Sequence, residues 1–248
     1  WLVQDETRSS SRQAHFFSRL AGEMTYTLAE GDSPVRLSAP SGPYEIRLGY
    51  ASLRTFSQRL LENHFLVALQ ARPSWRMKQL NEYGFPPIYR EKVQAGLKIV
   101  DRSDRSIFEQ LFPSRAFNGF TDIPPIMVQV LLFIENRHLL DSSRPLMNPA
   151  IEWERLGLAL LERGIHTFDP ERPSSGGSTL ATQLEKLRHS ENGITTSAKE
   201  KLRQVLSASF RAYLDGEKTF AARQRIVLDY VNSIPLGAFP GYGEVNGL

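Results

Sequence analysis

The chain has 248 residues, a hydrophobic content of 41% and a formal net charge of +3, which suffices for one large core or two modest ones. The weak positive charge is not gathered into a dense basic tract, so no nucleic-acid partner is expected. Cysteine is absent, which excludes disulfides, thiolate metal sites and cysteine nucleophiles. No apolar run reaches the roughly 18 residues that a membrane span needs.

The first 95 residues predict an N-terminal α+β accessory region. Helical or alternating spacing of apolar residues predicts a helix over 13–28, strands over 44–50 and 65–70, a helix over 53–63, and strands over 88–93 and 97–101 that pair as a hairpin through 94–96. The intervening stretch 31–43 is rich in Ser, Pro and Gly, which is typical of a loop.

From residue 123 onward the pattern is mainly helical. A proline pair precedes a strongly apolar run over 126–134 and suits the first turn of a helix there. Ser197 and Glu200 have the spacing of a capping box, which predicts a helix start. Other helices are predicted over 149–163, over the segment that ends near 189, and from 220 to 232.

The Gly-Gly-Ser-Thr segment carries the most specific functional signal. Gly176 and Gly177 let the backbone approach a ligand closely, and Ser178 or Thr179 can cap the helix that follows. Free N–H groups and the dipole at such a helix start attract phosphate-like anions, and Lys186 on the same helical face adds a cation. The closing Gly-Lys-Ser/Thr of the nucleotide P-loop is missing.

Three further segments stand in order around this motif, over residues 123–138, 199–204 and 225–232. The ordered set resembles the peptidoglycan glycosyltransferases of glycosyltransferase family 51. The resemblance implies an α+β fold with a mainly helical, lysozyme-like glycosyltransferase domain over 96–248, which polymerises the lipid-linked disaccharide lipid II.

Glu135 is the strongest catalytic candidate. It lies on a largely apolar helix face, which suits a general base; the alternative is a helix-end carboxylate paired with Arg137. By resemblance, Glu135 takes the proton from the acceptor sugar hydroxyl, which attacks the anomeric carbon of the donor while lipid pyrophosphate leaves. The family's Asp after this Glu is Asn136 here. Its second essential Glu aligns with Gln204, which can form hydrogen bonds but cannot act as a base, so Glu200 is considered as a substitute.

The resemblance also implies a set of substrate-binding residues: Arg155, Gly176, Gly177, Ser178, Thr179, Gln183, Lys186, Lys201 and Arg203. Lys201 and Arg203 would neutralise the leaving pyrophosphate; the alternative for both, and for Arg155, is an ordinary solvated charge. The five histidines are scattered, so no metal site is predicted. No cofactor is required, although a divalent cation, Mg or Mn, can accompany the pyrophosphate.

Lipid II and the growing glycan chain are the implied partners, with a membrane surface and cell-wall synthesis proteins beside them. The implied location is the periplasmic face of the bacterial inner membrane, where Trp1 would mark the end of a membrane helix and the C-terminus would be a cut. Contact with lipid is expected around Leu139, Leu140, Leu146 and Met147.

Three functional interpretations are weighed. The first is an active polymerase, weakened by Gln204 in the place of the second carboxylate. The second is a catalytically degenerate module that binds lipid-linked cell-wall glycan or a cell-wall protein. The third, a lysozyme-like hydrolase, is disfavoured by the pyrophosphate-type motif.

Overall fold

The structure, a computed structural model, describes residues 2–35, 37, 42–47, 53–112, 116–153, 178–241 and 243–246. Within these ranges helices predominate, and the strands form separate two-stranded antiparallel sheets. The mainly helical α+β class predicted from the sequence is confirmed.

The N-terminal elements are α1 (Leu2–Ser9), α2 (Ser11–Glu23), β1 (Tyr26–Glu30), α3 (Pro43–Arg47), α4 (Leu53–Glu62), β2 (Leu69–Pro73) and α5 (Trp75–Glu82). The helix predicted over 13–28 therefore ends early, because Leu28 lies in β1 and pairs with Ala71 of β2. The strand predicted over 44–50 is wrong in its described part. Pro43 begins a short helix instead, which turns the side chain of Glu45 inward to a buried histidine.

A hairpin follows, formed by β3 (Ala95–Val100) and β4 (Ser106–Phe112). The strand predicted over 88–93 is absent, and the turn lies after β3 rather than before it. The side chain of Asp101 accepts hydrogen bonds from the backbone N–H groups of Ser103 and Arg105, which fixes this turn.

The C-terminal elements are α6 (Pro125–Glu135), α7 (Leu180–His189), α8 (Ala198–Ala212), α9 (Phe220–Ser233), β5 (Pro235–Phe239) and β6 (Gly243–Asn246). The predicted start of α8 is confirmed, because the Ser197 hydroxyl accepts the N–H of Glu200 at 3.1 Å. Thr219 precedes α9 without capping it and donates its hydroxyl to the carbonyl of Met147 at 2.6 Å. Most of the helix predicted over 149–163 falls outside the described residues.

The two larger hydrophobic clusters of the described residues hold these elements together. One joins α6, α7 and α9 through residues that include Val128, Leu184 and Val227. The other joins the N-terminal region to α8, with Phe17 of α2 in edge contact with Phe210 at a ring separation of 5.2 Å. Because a core spans residues on both sides of position 95, the N-terminal region packs directly on the helical part.

The expected lipid-contact residues are wrong. Leu139 is 0% exposed and Met147 6%, both in the cluster beneath α6, and Leu140 and Leu146 are half-buried against the two clusters. The chain leaves α6 at Glu135 and turns inward, so these apolar residues face the core rather than solvent.

Instead, the exposed apolar face belongs to α6 itself, through Ile126, Val130, Phe133 and Ile134. These positions recur every three or four residues and so lie on one side of the helix. Phe133 is 66% exposed, and the guanidinium of Arg137 lies 4.2 Å from its ring centroid. Among the described residues, no helix has the length and apolar character needed to cross a bilayer.

Candidate active site

Glu135 is held at the end of α6 by a hydrogen-bonded chain from two other helices. The Gln183 side chain on α7 donates its Nε2 to Glu135 Oε2 at 2.8 Å, and the Tyr230 hydroxyl on α9 donates to Gln183 Oε1 at 3.0 Å. Burial, together with the charge of Glu135, raises the pKa of Tyr230 to about 12. The phenol therefore remains a donor at neutral pH, and the amide between them keeps the orientation that presents its N–H to the carboxylate.

A cationic side chain lies at the N-terminal end of α7. Lys201 Nζ on α8 donates to Ser178 Oγ at 2.6 Å. Partial burial and the positive charge of Lys186, in the last turn of α7, lower the pKa of Lys201 below its ordinary value. A cation beside a hydroxyl at a helix start forms a setting in which an anion would be stabilised.

The helix start itself is built by a reciprocal cap. The Thr179 hydroxyl accepts the N–H of Thr182 at 3.3 Å, and the Thr182 hydroxyl accepts the N–H of Thr179 at 2.9 Å. Both threonines are buried. Thr179 is therefore the N-cap, as one of the two predicted candidates. Its hydroxyl bonds within the protein, and the sequence did not predict its partner Thr182.

Two adjoining cavities open beside Glu135. The first, of about 350 Å³, is lined by Glu135 together with His138 and Glu152. The second, of about 580 Å³, includes Trp153 and Arg144 in its wall. Asn136, His138 and Glu152 line both cavities, so the two form one groove that begins at Glu135.

Glu152 was missed by the sequence analysis. It lies 17 positions after Glu135 and belongs to no recognised pattern, yet it brings a second carboxylate to the cavity that Glu135 lines. Trp153 beside it supplies an aromatic surface in the adjoining cavity. Only the folding of the 136–153 loop back toward α6 places these side chains at the site.

Gln204 occupies a packing position rather than a cavity wall. Its side chain is 2% exposed, and its Nε2 donates to the hydroxyls of Ser190 and Thr195, both at 2.9 Å. Asn136, the other departure from the family pattern, is also buried. Because its amide is engaged between these hydroxyls, Gln204 lacks the access to substrate that a catalytic role would require, and we assign it to the fold.

Arg203 is also directed away from the anion-binding group. Its guanidinium donates to the carbonyls of Gly84 at 3.2 Å and His189 at 3.4 Å. Two positions along a helix turn a side chain through about 200°, which separates it from Lys201. We therefore assign Arg203 to the contact between the N-terminal region and α7. Arg155, Gly176 and Gly177 lie outside the described residues, and their substrate-binding roles stay predictions.

No group of His, Asp and Glu side chains in the described part of the chain is arranged to hold a metal ion. The candidate site is thus a carboxylate oriented by a neutral donor, a groove beside it, the amine of Lys201 at the start of α7, and Lys186 in the last turn of that helix. Gln183 lies four positions after Thr179, a rise of about 6 Å along the helix axis. The helix whose Gln183 donates to Glu135 therefore begins beside the Ser178 hydroxyl that Lys201 contacts.

A family model described as Transglycosylase matches residues 106–248, which is more than half of the chain. No curated protein and no solved structure gives a significant match. The matched part contains Glu135, Gln183, Lys186 and Lys201, and its mainly helical form is consistent with a lysozyme-like fold. Membership supports a general role in peptidoglycan glycosyl transfer. The chain belongs to the transglycosylase family.

Proposed function

We propose that the protein polymerises lipid II, with Glu135 as the general base and Lys186 and Lys201 as the groups that receive the leaving pyrophosphate. The observation that carries the proposal is the 2.8 Å hydrogen bond from Gln183 to Glu135. It joins the carboxylate to α7, whose start lies beside the Ser178 hydroxyl that Lys201 contacts and whose last turn carries Lys186, so that one helix connects the base with the proposed anion site.

In the proposed reaction, the acceptor sugar hydroxyl gives its proton to Glu135 as its oxygen forms a bond to the donor's anomeric carbon. The bond from that carbon to the pyrophosphate oxygen breaks, and the oxygen keeps the electron pair. Lys201 and Lys186 stabilise the charge that develops on the leaving group. No cofactor enters the reaction; a divalent cation, Mg or Mn, would enter only with the pyrophosphate.

The groove beside Glu135 is suited to the sugars. Aromatic faces bind sugar rings through their apolar surface while polar side chains bind hydroxyls, and Trp153 and Glu152 offer both kinds of contact. We assign the groove to the glycan being extended. Glu152 would supply the second carboxylate that Gln204, in its buried position, does not.

We assign the exposed face of α6 to the membrane surface, because lipid II is held in a bilayer and this face leads directly to Glu135. The inferred location is the periplasmic face of the bacterial inner membrane. The double change of Phe133 and Ile134 to Ser should weaken binding to anionic vesicles, whereas Leu66→Ser, at a residue that is 87% exposed elsewhere, should not. Equal binding by both variants would contradict this assignment.

The alternative, a binding module without turnover, is favoured by one observation: the aligned second carboxylate is absent and its place is closed by packing around Gln204. Turnover separates the two functions. An active enzyme converts lipid II to polymer, whereas a binding module retains lipid II and yields none. Cell-wall synthesis proteins are further proposed partners in either case.

The anion site is tested by calorimetric titration with inorganic pyrophosphate. Lys201→Gln removes a charge-assisted contact and should weaken binding about tenfold or more. Lys199→Gln removes an exposed charge from the first turn of the same helix and serves as the matched control. If both variants bind pyrophosphate like the unchanged chain, the anion site is refuted.

A further inference from the structure

A buried cluster of charged side chains connects the N-terminal region to the helix that carries the anion site. Its members, called the Glu91 cluster below, are Glu45, Glu91, Glu185, Arg188, His189, Arg211 and Asp229. Buried charges are tolerated in proteins only when they are paired with good geometry. The paired charges packed against α7 therefore fix the position of that helix.

Glu91 is the centre of the cluster. The Arg211 Nη2 atom and the His189 Nε2 atom lie 2.9 Å and 2.8 Å from Glu91 Oε1, and the Arg188 Nη1 atom lies 3.1 Å from Oε2. The Glu91 side chain is 2% exposed. Burial alone would raise its pKa, but the charges of Arg211 and His189 hold the pKa of Glu91 well below its ordinary value. Glu91 is thus an ionised side chain shared by three cations.

A second carboxylate from the N-terminal region reaches the same place. Glu45 Oε1 on α3 lies 3.0 Å from His189 Nδ1, so the imidazole has an acidic partner at each ring nitrogen. The Arg188 guanidinium lies 4.8 Å from the ring centroid of Tyr44. The backbone at Gly42 is so close to the carbonyl of Arg188 that an added Cβ would collide with it. The end of α7 is therefore enclosed by residues 42–45 and 91.

The remaining members connect the cluster to the rest of the helical part. Arg211 Nε on α8 lies 2.5 Å from Glu185 Oε1 on α7. Arg188 reaches α9, where its Nη1 lies 3.4 Å from an oxygen of Asp229 and its Nη2 donates to the Ser233 hydroxyl at 3.2 Å. The cluster thus joins α7, α8 and α9 around the carboxylate of Glu91.

The origin of the two carboxylates matters for function. The family match begins at residue 106, so Glu45 and Glu91 both lie outside it, while their partners lie within it. The helix they hold is the one whose other half bears Gln183, the donor to Glu135. The charge pairing of the helical part is therefore completed by residues that the family pattern does not include.

We propose that Glu91, supported by Glu45, is a positioning residue: inserted from the N-terminal region beneath α7, it sets the placement of the Gln183–Glu135 contact and of the Ser178–Lys201 contact at the start of the helix. The positioning is a property of the fold, and its consequence for turnover rests on the proposed function. The N-terminal region would then be a required part of the active unit rather than an accessory.

The test uses hydrogen exchange in the 248-residue chain under native conditions. Glu91→Gln leaves the cations of the cluster without their shared counter-charge, so amides of α7 should exchange about tenfold faster, and more than those of α2, which packs in the other hydrophobic cluster. Glu82→Gln, at an exposed carboxylate of α5, is the matched control and should change neither helix. Equal acceleration in α7 and α2 would indicate loss of global stability alone and would overturn the proposal.

Pyrophosphate titration on the same variants supplies the functional arm. Glu91→Gln should weaken pyrophosphate binding although it touches neither amine; binding equal to that of Glu82→Gln would overturn the proposed effect on the site. If Glu91→Gln does not fold, Glu45→Gln takes its place, because it removes one carboxylate and keeps Glu91. Pyrophosphate titration of Lys201→Gln tests the proposed function separately. The exchange rates of the α7 amides do not depend on that function, so failure of the anion site and failure of the positioning role can be told apart.

Discussion

The stability of the fold should depend on pH through His189, because this buried imidazole is held between two carboxylates. Burial disfavours its charge, but Glu91 and Glu45 together raise the pKa of His189 from 6.5 to about 9. The other charged groups that face it are Glu185 from α7 and Arg211 from α8. In the unfolded chain the imidazole has its ordinary pKa, so unfolding between pH 6.5 and 9 releases a proton.

The sign and size of the effect follow from this difference. The stabilisation is fully present below pH 6.5 and is lost as the pH rises through 9. The interval between the two pKa values corresponds to about 3 kcal/mol of unfolding free energy, with a slope of at most about 1.4 kcal/mol for each unit of pH.

Urea unfolding at about pH 6, 7, 8 and 9 measures the slope. His189→Gln should lower stability and remove most of the pH dependence in this window. His64→Asn, at an exposed histidine with positive φ that Asn tolerates, should retain it. Equal loss of unfolding free energy with pH in the unchanged chain and in His189→Gln would show that His189 is not the source of the pH dependence.

Three further substitutions test individual contacts. Tyr230→Phe removes the donor that fixes the Gln183 amide, so turnover should fall about fivefold, which corresponds to about 1 kcal/mol. The circular dichroism spectrum should not change. No change in turnover would show that the amide needs no such donor. Gln204→Glu replaces the amide that donates to the hydroxyls of Ser190 and Thr195 by a buried carboxylate, so it should lower the unfolding free energy by about 2–3 kcal/mol. It should not raise the polymerisation rate. A faster variant would show that residue 204 takes part in catalysis. Arg223→Leu removes the guanidinium that donates to the carbonyls of Leu139, Asp141 and Arg144, each at 2.9 Å, so urea unfolding should show a loss of about 3–5 kcal/mol in unfolding free energy. The control Arg225→Leu removes an ion pair with Asp215 at the surface and should lose about 1 kcal/mol or less. Equal losses in the two variants would contradict the structural role of Arg223.

The sequence predicted best where local chemistry decides the structure. A serine or threonine at a helix start fixes that start by its own hydroxyl, and Thr179 and Ser197 do so here. Prediction from the sequence failed where tertiary contacts decide the local structure. Residues 44–50 alternate like a strand, yet Pro43 begins a helix there that carries Glu45 to His189, a contact between positions 144 apart.

The candidate site divides in the same way. Glu135 and Gln183 could be named from the order of motifs, but the hydrogen bond between them spans 48 positions and depends on how α6 packs on α7. Glu152 reaches the same cavity through an irregular loop, for which sequence periodicity offers no signal. The buried place of Gln204 depends on two hydroxyls that precede its helix, which spacing alone does not reveal.

The role of Glu135 is tested by the conversion of lipid II to polymer by the 248-residue chain and by Glu135→Gln, with pyrophosphate titration of both proteins as the control for the fold. If Glu135 is the base, the unchanged chain should yield polymer, the variant should lose about 100-fold or more in rate, and the two should bind pyrophosphate equally. Polymer formation by Glu135→Gln at a rate close to that of the unchanged chain would contradict the assignment of Glu135 as the base.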